Sequence, residues 1–120
     1  MAKILIVDDS PTQMANMTKI VEAHGHQSIT ANNGMEGVEK AKAELPDLIL
    51  MDVVMPELNG FQATRKITKE PTTAHIPVIL VTTKDQDTDK VWGERQGAAG
   101  YLVKPVTEND LIGKVNELLG

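Results

Sequence analysis

The chain has 120 residues, 41% of them hydrophobic and 24% charged, and no cysteine, which suits one domain with a core of its own and excludes disulfides, thiolate chemistry and sulfur-ligated zinc. A formal net charge of -5 and a pI near 5.1 argue against nucleic acid as a partner, because phosphate binding needs clustered Lys and Arg. No apolar run is long enough to cross a bilayer, and Met1-Ala2-Lys3 leads straight into Ile4-Leu5-Ile6-Val7-Asp8 without the build of a secretory signal; no membrane insertion is expected, and the chain is placed in the cytoplasm.

In chain order, residues 4–7 form the first apolar run. Ser10-Pro11-Thr12-Gln13 then supplies an N-cap serine, a first-turn proline and a Gln at the reciprocal capping position. The helix it opens carries the stripe Met14, Met17, Ile20 and Val21 and stops near Gly25. Residues 27–31 are more polar and suit an edge strand. Asn32-Asn33-Gly34 turns into a second helix with Val38, Ala41 and Leu45, closed by Pro46. Residues 48–51 are the third apolar run, and a third helix follows Asn59-Gly60, with Phe61 in the core, and ends before Pro71. Residues 78–81 are the fourth run. The helix over 87–96 is the weakest, since Gly93 costs about 1 kcal/mol against Ala and the apolar stripe is thin; local instability there suits a moving part. Tyr101-Leu102-Val103 is the fifth run, and Thr107-Glu108-Asn109-Asp110 opens a last helix whose Leu111, Val115 and Leu118 face inward. The main runs are continuous rather than alternating, as in parallel strands covered on both faces. Strand and helix alternate five times, the α/β pattern, and one domain is expected to fill 1–120 without a separate output domain.

The informative residues are acidic. Asp8-Asp9 follow the first strand directly and Asp52 follows the third, and open parallel sheets bind ligands beyond the carboxyl ends of their strands. Strand order 2-1-3-4-5 makes those two strands neighbours and brings the three carboxylates together. Like charges about 4 Å apart repel by roughly 4 kcal/mol at an effective dielectric of about 20, a conflict that a divalent cation removes. Oxygen-only ligands select Mg2+ or Mn2+ over zinc. Thr82 ends the fourth strand with a hydroxyl, and Lys104 ends the fifth with a cation able to pair with Asp52 or a phosphoryl oxygen. Each of these residues alone has an ordinary structural explanation; it is their joint placement at successive strand ends that points to phosphoryl chemistry. The three histidines are not spaced as a metal cage, and His24 near a helix C-terminus fits the macrodipole.

The segments Ile4-Leu5-Ile6-Val7-Asp8-Asp9-Ser10, Leu50-Met51-Asp52-Val53-Val54-Met55-Pro56-Glu57-Leu58-Asn59-Gly60, Pro77-Val78-Ile79-Leu80-Val81-Thr82 and Lys104-Pro105 resemble the receiver domains of bacterial response regulators over the whole chain. The resemblance implies a flavodoxin-like, CheY-like fold. It implies Asp52 as phosphoacceptor and Asp8, Asp9, Asp52 and the backbone carbonyl of Val54 as ligands of Mg2+. It also implies Thr82 as the phosphoryl-binding hydroxyl, Tyr101 as the aromatic switch, Lys104 as the cation and a cis Lys104-Pro105 peptide. A narrower resemblance, to PilH-type regulators of twitching motility, rests on Gly60-Phe61-Gln62-Ala63-Thr64-Arg65, Thr82-Thr83-Lys84-Asp85-Gln86, Asp89-Lys90-Val91-Trp92-Gly93 and Arg95-Gln96-Gly97-Ala98; it implies type IV pili as the distant output. Ala99-Gly100 departs from the family, where a polar residue usually precedes the aromatic.

Three readings of function follow. In the leading one, a histidine kinase or histidine phosphotransfer domain donates a phosphoryl group to Asp52, the domain catalyses its own phosphorylation and dephosphorylation, and a changed surface selects a downstream protein target. The protein is then a monomer, with dimerisation on phosphorylation a further possibility. The second reading is a phosphate sink or relay without a target of its own, with Val54 and Lys84 at positions that tune hydrolysis in the family. The third is a scaffold with a vestigial site, which the intact acidic set disfavours. Donor docking is assigned to Pro11, Met14 and Met17 with Pro105 and Val106.

Overall fold

Ten elements alternate along the chain in the computed structural model, which describes residues 1–120. They are β1 (Lys3–Val7), α1 (Pro11–Ala23), β2 (Gln27–Ala31), α2 (Gly34–Glu44), β3 (Leu48–Met51), α3 (Gly60–Lys69), β4 (Val78–Thr82), α4 (Asp87–Arg95), β5 (Gly100–Val103) and α5 (Glu108–Leu119). The five strands form one parallel sheet in the order β2-β1-β3-β4-β5. Chain order reverses at β1 and β3, the neighbours that carry the acidic residues.

Period-two alternation along the strands divides the core in two. Leu5, Val7, Ile49, Met51, Val78 and Leu80 pack with Val38 and Ala41 of α2 and with Phe61 and Ile67 of α3. Ile4, Ile6, Leu48, Leu50, Ile79 and Val81 pack on the other face with Met14, Met17, Ile20 and Val21 of α1 and Leu111, Ile112 and Val115 of α5. Strands β3 and β4 are buried along their whole length, while β2 and β5, at the edges, are more accessible. The continuous apolar runs therefore mark strands lined on both faces, each large side chain contributing about 1.5–3 kcal/mol by its burial.

Local signals set the helix starts. Asn33, Asn59 and Thr107 each accept a backbone N–H three residues on, and Asn59 with Gln62 completes a reciprocal capping box. Ser10 caps α1 by accepting from the Gln13 N–H at 3.4 Å. The reciprocal bond expected of Gln13 is not made, because the Ser10 N–H donates to Asp8 Oδ1 at 2.8 Å. Leu45 lies outside α2 as its C-cap, with φ 46° and a half-exposed side chain; the following Pro46 disfavours the helical region at that residue. Gly93 is more than a weak point. A Cβ there would lie 2.8 Å from Leu80 Cδ1 and 3.2 Å from Tyr101 Cδ2, so glycine is what lets α4 seat on the sheet. Phe61 is buried and Trp92 is half exposed on α4. His24 Nε2 lies 2.8 Å from Glu108 Oε2, a tie from the end of α1 to the start of α5 in addition to any dipole effect.

Candidate functional site: an acidic pocket at the strand ends

The sheet ladder itself delivers the site residues. The Asp8 N–H donates to the Ala31 carbonyl at 3.1 Å, the Asp52 N–H to the Val7 carbonyl at 2.9 Å and the Lys104 N–H to the Thr82 carbonyl at 2.7 Å. Each bond extends strand pairing one residue past a strand end, which fixes where the next side chain leaves the backbone. Carboxylate oxygens of Asp8, Asp9 and Asp52 consequently lie within 4.8 Å of one another. Asp8 is 1% exposed and Asp52 7%, whereas Asp9 is exposed, so the cluster has a buried floor and one open side.

Lys104 bridges the two buried acids rather than pairing with Asp52 alone: its Nζ is 3.0 Å from Asp8 Oδ2 and 3.5 Å from Asp52 Oδ1. The peptide bond between Lys104 and Pro105 is cis. Burial, followed by the negative charge of Asp8, pushes the Asp52 carboxyl above the usual carboxylate range, against the smaller opposing pull of Lys104 and the Val53 N–H. That N–H donates to Asp52 Oδ1 at 2.9 Å. Three carboxylates against one ammonium leave a deficit of two positive charges among oxygen ligands, the charge and chemistry that a hard divalent cation satisfies.

Thr82 and Tyr101 meet at the backbone of one residue, Lys84. The buried Thr82 hydroxyl accepts the Lys84 N–H at 3.2 Å, and the Tyr101 hydroxyl donates to the Lys84 carbonyl at 2.8 Å. Burial, then Asp89 and Asp85, raise the Tyr101 hydroxyl to about 12. The loop between β4 and α4 is thus held at Lys84 both by the hydroxyl expected to bind the phosphoryl group and by the expected aromatic switch, and the link is the backbone of Lys84, a residue the sequence pointed to only for tuning hydrolysis. Val54, two residues after Asp52, has a side chain 56% exposed.

Gly60 is a site residue that sequence reasoning read only as a helix start. A Cβ there would strike the Asp52 carbonyl and lie 2.7 Å from Val53 Cα; its N–H donates to the Val53 carbonyl at 2.9 Å. The chain leaving Asp52 is therefore packed backbone to backbone against the start of α3, an approach only glycine allows. The Asn-Gly pair marked the turn, but no local pattern shows what lies above it.

Of the expected docking residues, Pro11 and Pro105 are exposed and Val106 is partly buried against the core. Met14 and Met17 are mostly buried, at 9% and 4% exposure, in the stripe that α1 turns toward the sheet, so each offers a partner little surface.

The family described as response regulator receiver domain matches residues 4–116. The chain belongs to that family. It is 61% identical over 119 residues to Protein PilH of Pseudomonas aeruginosa, a match covering 99% of this chain and 98% of the relative. It is 38% identical over 117 residues to the Response regulator PleD of Caulobacter vibrioides, covering 98% of this chain but 26% of that longer protein. The structure of Vibrio cholerae chemotaxis protein CheY4 superposes with a TM-score of 0.93 at 30% identity, covering 98% of both chains. The receiver domain of a Pseudomonas aeruginosa sensor histidine kinase, described with a magnesium ion coordinated in its active site cleft, gives 0.92 at 27% identity over 99% of this chain and 98% of its own. The receiver's doubly wound, CheY-like flavodoxin fold is thus shown by topology and by neighbours alike.

Proposed function

We propose that this receiver domain takes a phosphoryl group onto Asp52 from a histidine kinase or histidine phosphotransfer domain, and that it works in a PilH-like role in twitching motility. The observation that carries the proposal is the pocket: three converging carboxylates with Lys104 lying between Asp8 and Asp52. Asp8, Asp9, Asp52 and the Val54 carbonyl are the residues that would hold Mg2+, which when bound supplies positive charge for phosphoryl oxygens.

In the transfer, an oxygen of Asp52 forms the new O–P bond as the donor's N–P bond breaks, and the donor imidazole keeps the electron pair. Lys104 offsets negative charge gathering on the transferred group, and the Asp8 charge beside it keeps the ammonium positioned. Thr82 is buried at the end of β4 with its O–H free to donate, and a shift of that hydroxyl toward a phosphoryl oxygen would weaken the bond it accepts from the Lys84 N–H. Such a shift would loosen one of the two side-chain bonds on the Lys84 backbone and bias Tyr101 and α4 toward a second arrangement. The chemistry at Asp52 thereby reaches a surface suited to partner selection.

The experiment is transfer of labelled phosphate from a phosphorylated histidine phosphotransfer domain to the native chain and to Asp52→Asn. Label on the native chain alone supports the proposal; equal labelling of both removes Asp52 from the role. A long-lived adduct that gains a protein target favours the switch, whereas rapid loss with no target favours a sink. The twitching assignment rests on similarity to PilH and is tested by whether a deletion strain recovers twitching with this chain but not with its Asp52→Asn form.

A further inference from the structure

Beside the acidic pocket, α2 and the loop leaving β3 enclose a groove of about 560 Å3. Met35, Pro56 and Leu58 supply its apolar surface, Glu36, Glu39 and Glu57 its charged rim, and no Lys or Arg lines it. Met35 is 51% exposed and shares a helical face with Glu39, four residues on. Glu36 is partly neutralised by Lys40 at 3.5 Å, but Lys40 also donates to the Thr30 carbonyl at 2.6 Å, toward β2. Glu39 and Glu57 form no salt bridge. The walls are already in contact: a Cβ at Gly34 would strike the Leu58 carbonyl, so the start of α2 and the loop meet backbone to backbone.

The charges on this rim are dispersed. The carboxylates that converge closely enough to share one ion are Asp8, Asp9 and Asp52, not the three glutamates. Spread negative charge around exposed methionine and proline is the complement of a polypeptide carrying Lys or Arg on either side of apolar side chains, with methionine able to adapt to the shape presented. A second copy of this chain, with its net charge of -5, is repelled rather than attracted.

We propose that the groove between α2 and the β3–α3 loop is a docking surface for a basic, amphipathic segment of a partner protein. This surface is distinct from the donor-docking region near Pro11 and Pro105, and its use does not depend on whether Asp52 accepts phosphate. The test is a nuclear magnetic resonance titration of the isotopically labelled full chain, with Mg2+ present to occupy the acidic pocket. The probes are a synthetic amphipathic peptide of Lys and Leu and its counterpart with Glu for Lys. Amide shifts should centre on residues 33–39, 57 and 58 with the basic peptide and be absent with the acidic one. Reversing the rim charges in the double variant E39K/E57K should weaken binding by about tenfold or more, and Met35→Ser, which removes apolar surface alone, by roughly threefold or more. All three positions are exposed, so the variants should keep the native spectrum. Shifts scattered over the surface or centred on α4 and β5 would overturn the proposal, as would affinity unmoved by either variant.

Discussion

Replacing Asp52 with Asn should make the metal-free protein more stable, although it removes a salt bridge. The carboxylates of Asp8 and Asp9, no more than 4.8 Å from that of Asp52, each repel it by roughly 3.5 kcal/mol at an effective dielectric of about 20, and Lys104 at 3.5 Å attracts it by roughly 5 kcal/mol on the same scale. With the Asp9 contribution reduced by solvent around its exposed side chain, the repulsions and the attraction nearly offset each other. Lys104 keeps Asp8 at 3.0 Å and is not orphaned by the substitution. Desolvation then decides the sign, since holding a carboxylate at 7% exposure costs several kcal/mol, while Asn can still accept the Val53 N–H. A net gain of about 1–2 kcal/mol is expected, or roughly 4–8 °C in Tm for a domain of this size. The assay is thermal and urea unfolding in chelator near neutral pH. Saturating Mg2+ should then reverse the order, because native protein gains about 2.7 kcal/mol at a hundredfold excess over Kd while the variant, a ligand short, gains less. An Asn variant less stable than native protein in chelator would refute the reasoning.

Further expectations follow from the same contacts. Because the folded-state carboxyl of Asp52 is raised above its ordinary 3.8, the folded protein binds the proton more tightly; its contribution should make metal-free protein gain stability as pH falls through that raised value, and Asp52→Asn should abolish that part of the profile in urea titrations. Lys104→Met should destabilise native protein in chelator by about 3 kcal/mol and cost less in an Asp52→Asn background, a coupling that a double-mutant cycle in urea measures and strict additivity would contradict. Gly93→Ala should cost about 1–3 kcal/mol despite its helix propensity, because the added methyl meets Leu80 and Tyr101, whereas Gly113→Ala, with open space around it, should gain about 0.5–1 kcal/mol. The only tyrosine should titrate in the ultraviolet with a midpoint at about 12, its contribution to stability falling as pH rises from 10 toward 12; a midpoint near 10 would remove the burial and the Asp89 and Asp85 fields as its setting.

Much of the fold was legible because the local and global signals agree. Residues 48–51 and 78–81 are uninterrupted apolar runs, and they lie in the strands buried on both faces. Asp8, Asp9 and Asp52 were legible for a topological reason: each follows a strand directly, and the strand order makes those strands neighbours. What stayed hidden depends on contacts between distant segments. Period alone gives the face of α1, but weighing Met14 and Met17 as docking residues required knowing that the sheet already covers that face. Gly93 looked like a helix flaw until Leu80 and Tyr101 were placed beneath it. Lys104 shared between two acids, and Lys84 held at both its N–H and its carbonyl, are likewise consequences of three-dimensional proximity that no spacing in the chain records.

The central claim, that Asp52 accepts a phosphoryl group in a cation-dependent pocket, is tested most directly by intact-protein mass after incubation with acetyl phosphate. Native chain and Asp52→Asn are compared with Mg2+ and with chelator. A single phosphoryl adduct on the native chain, formed with Mg2+ and missing from the other three combinations, is the predicted result. An adduct of equal yield on Asp52→Asn, or one indifferent to chelator, would contradict the claim.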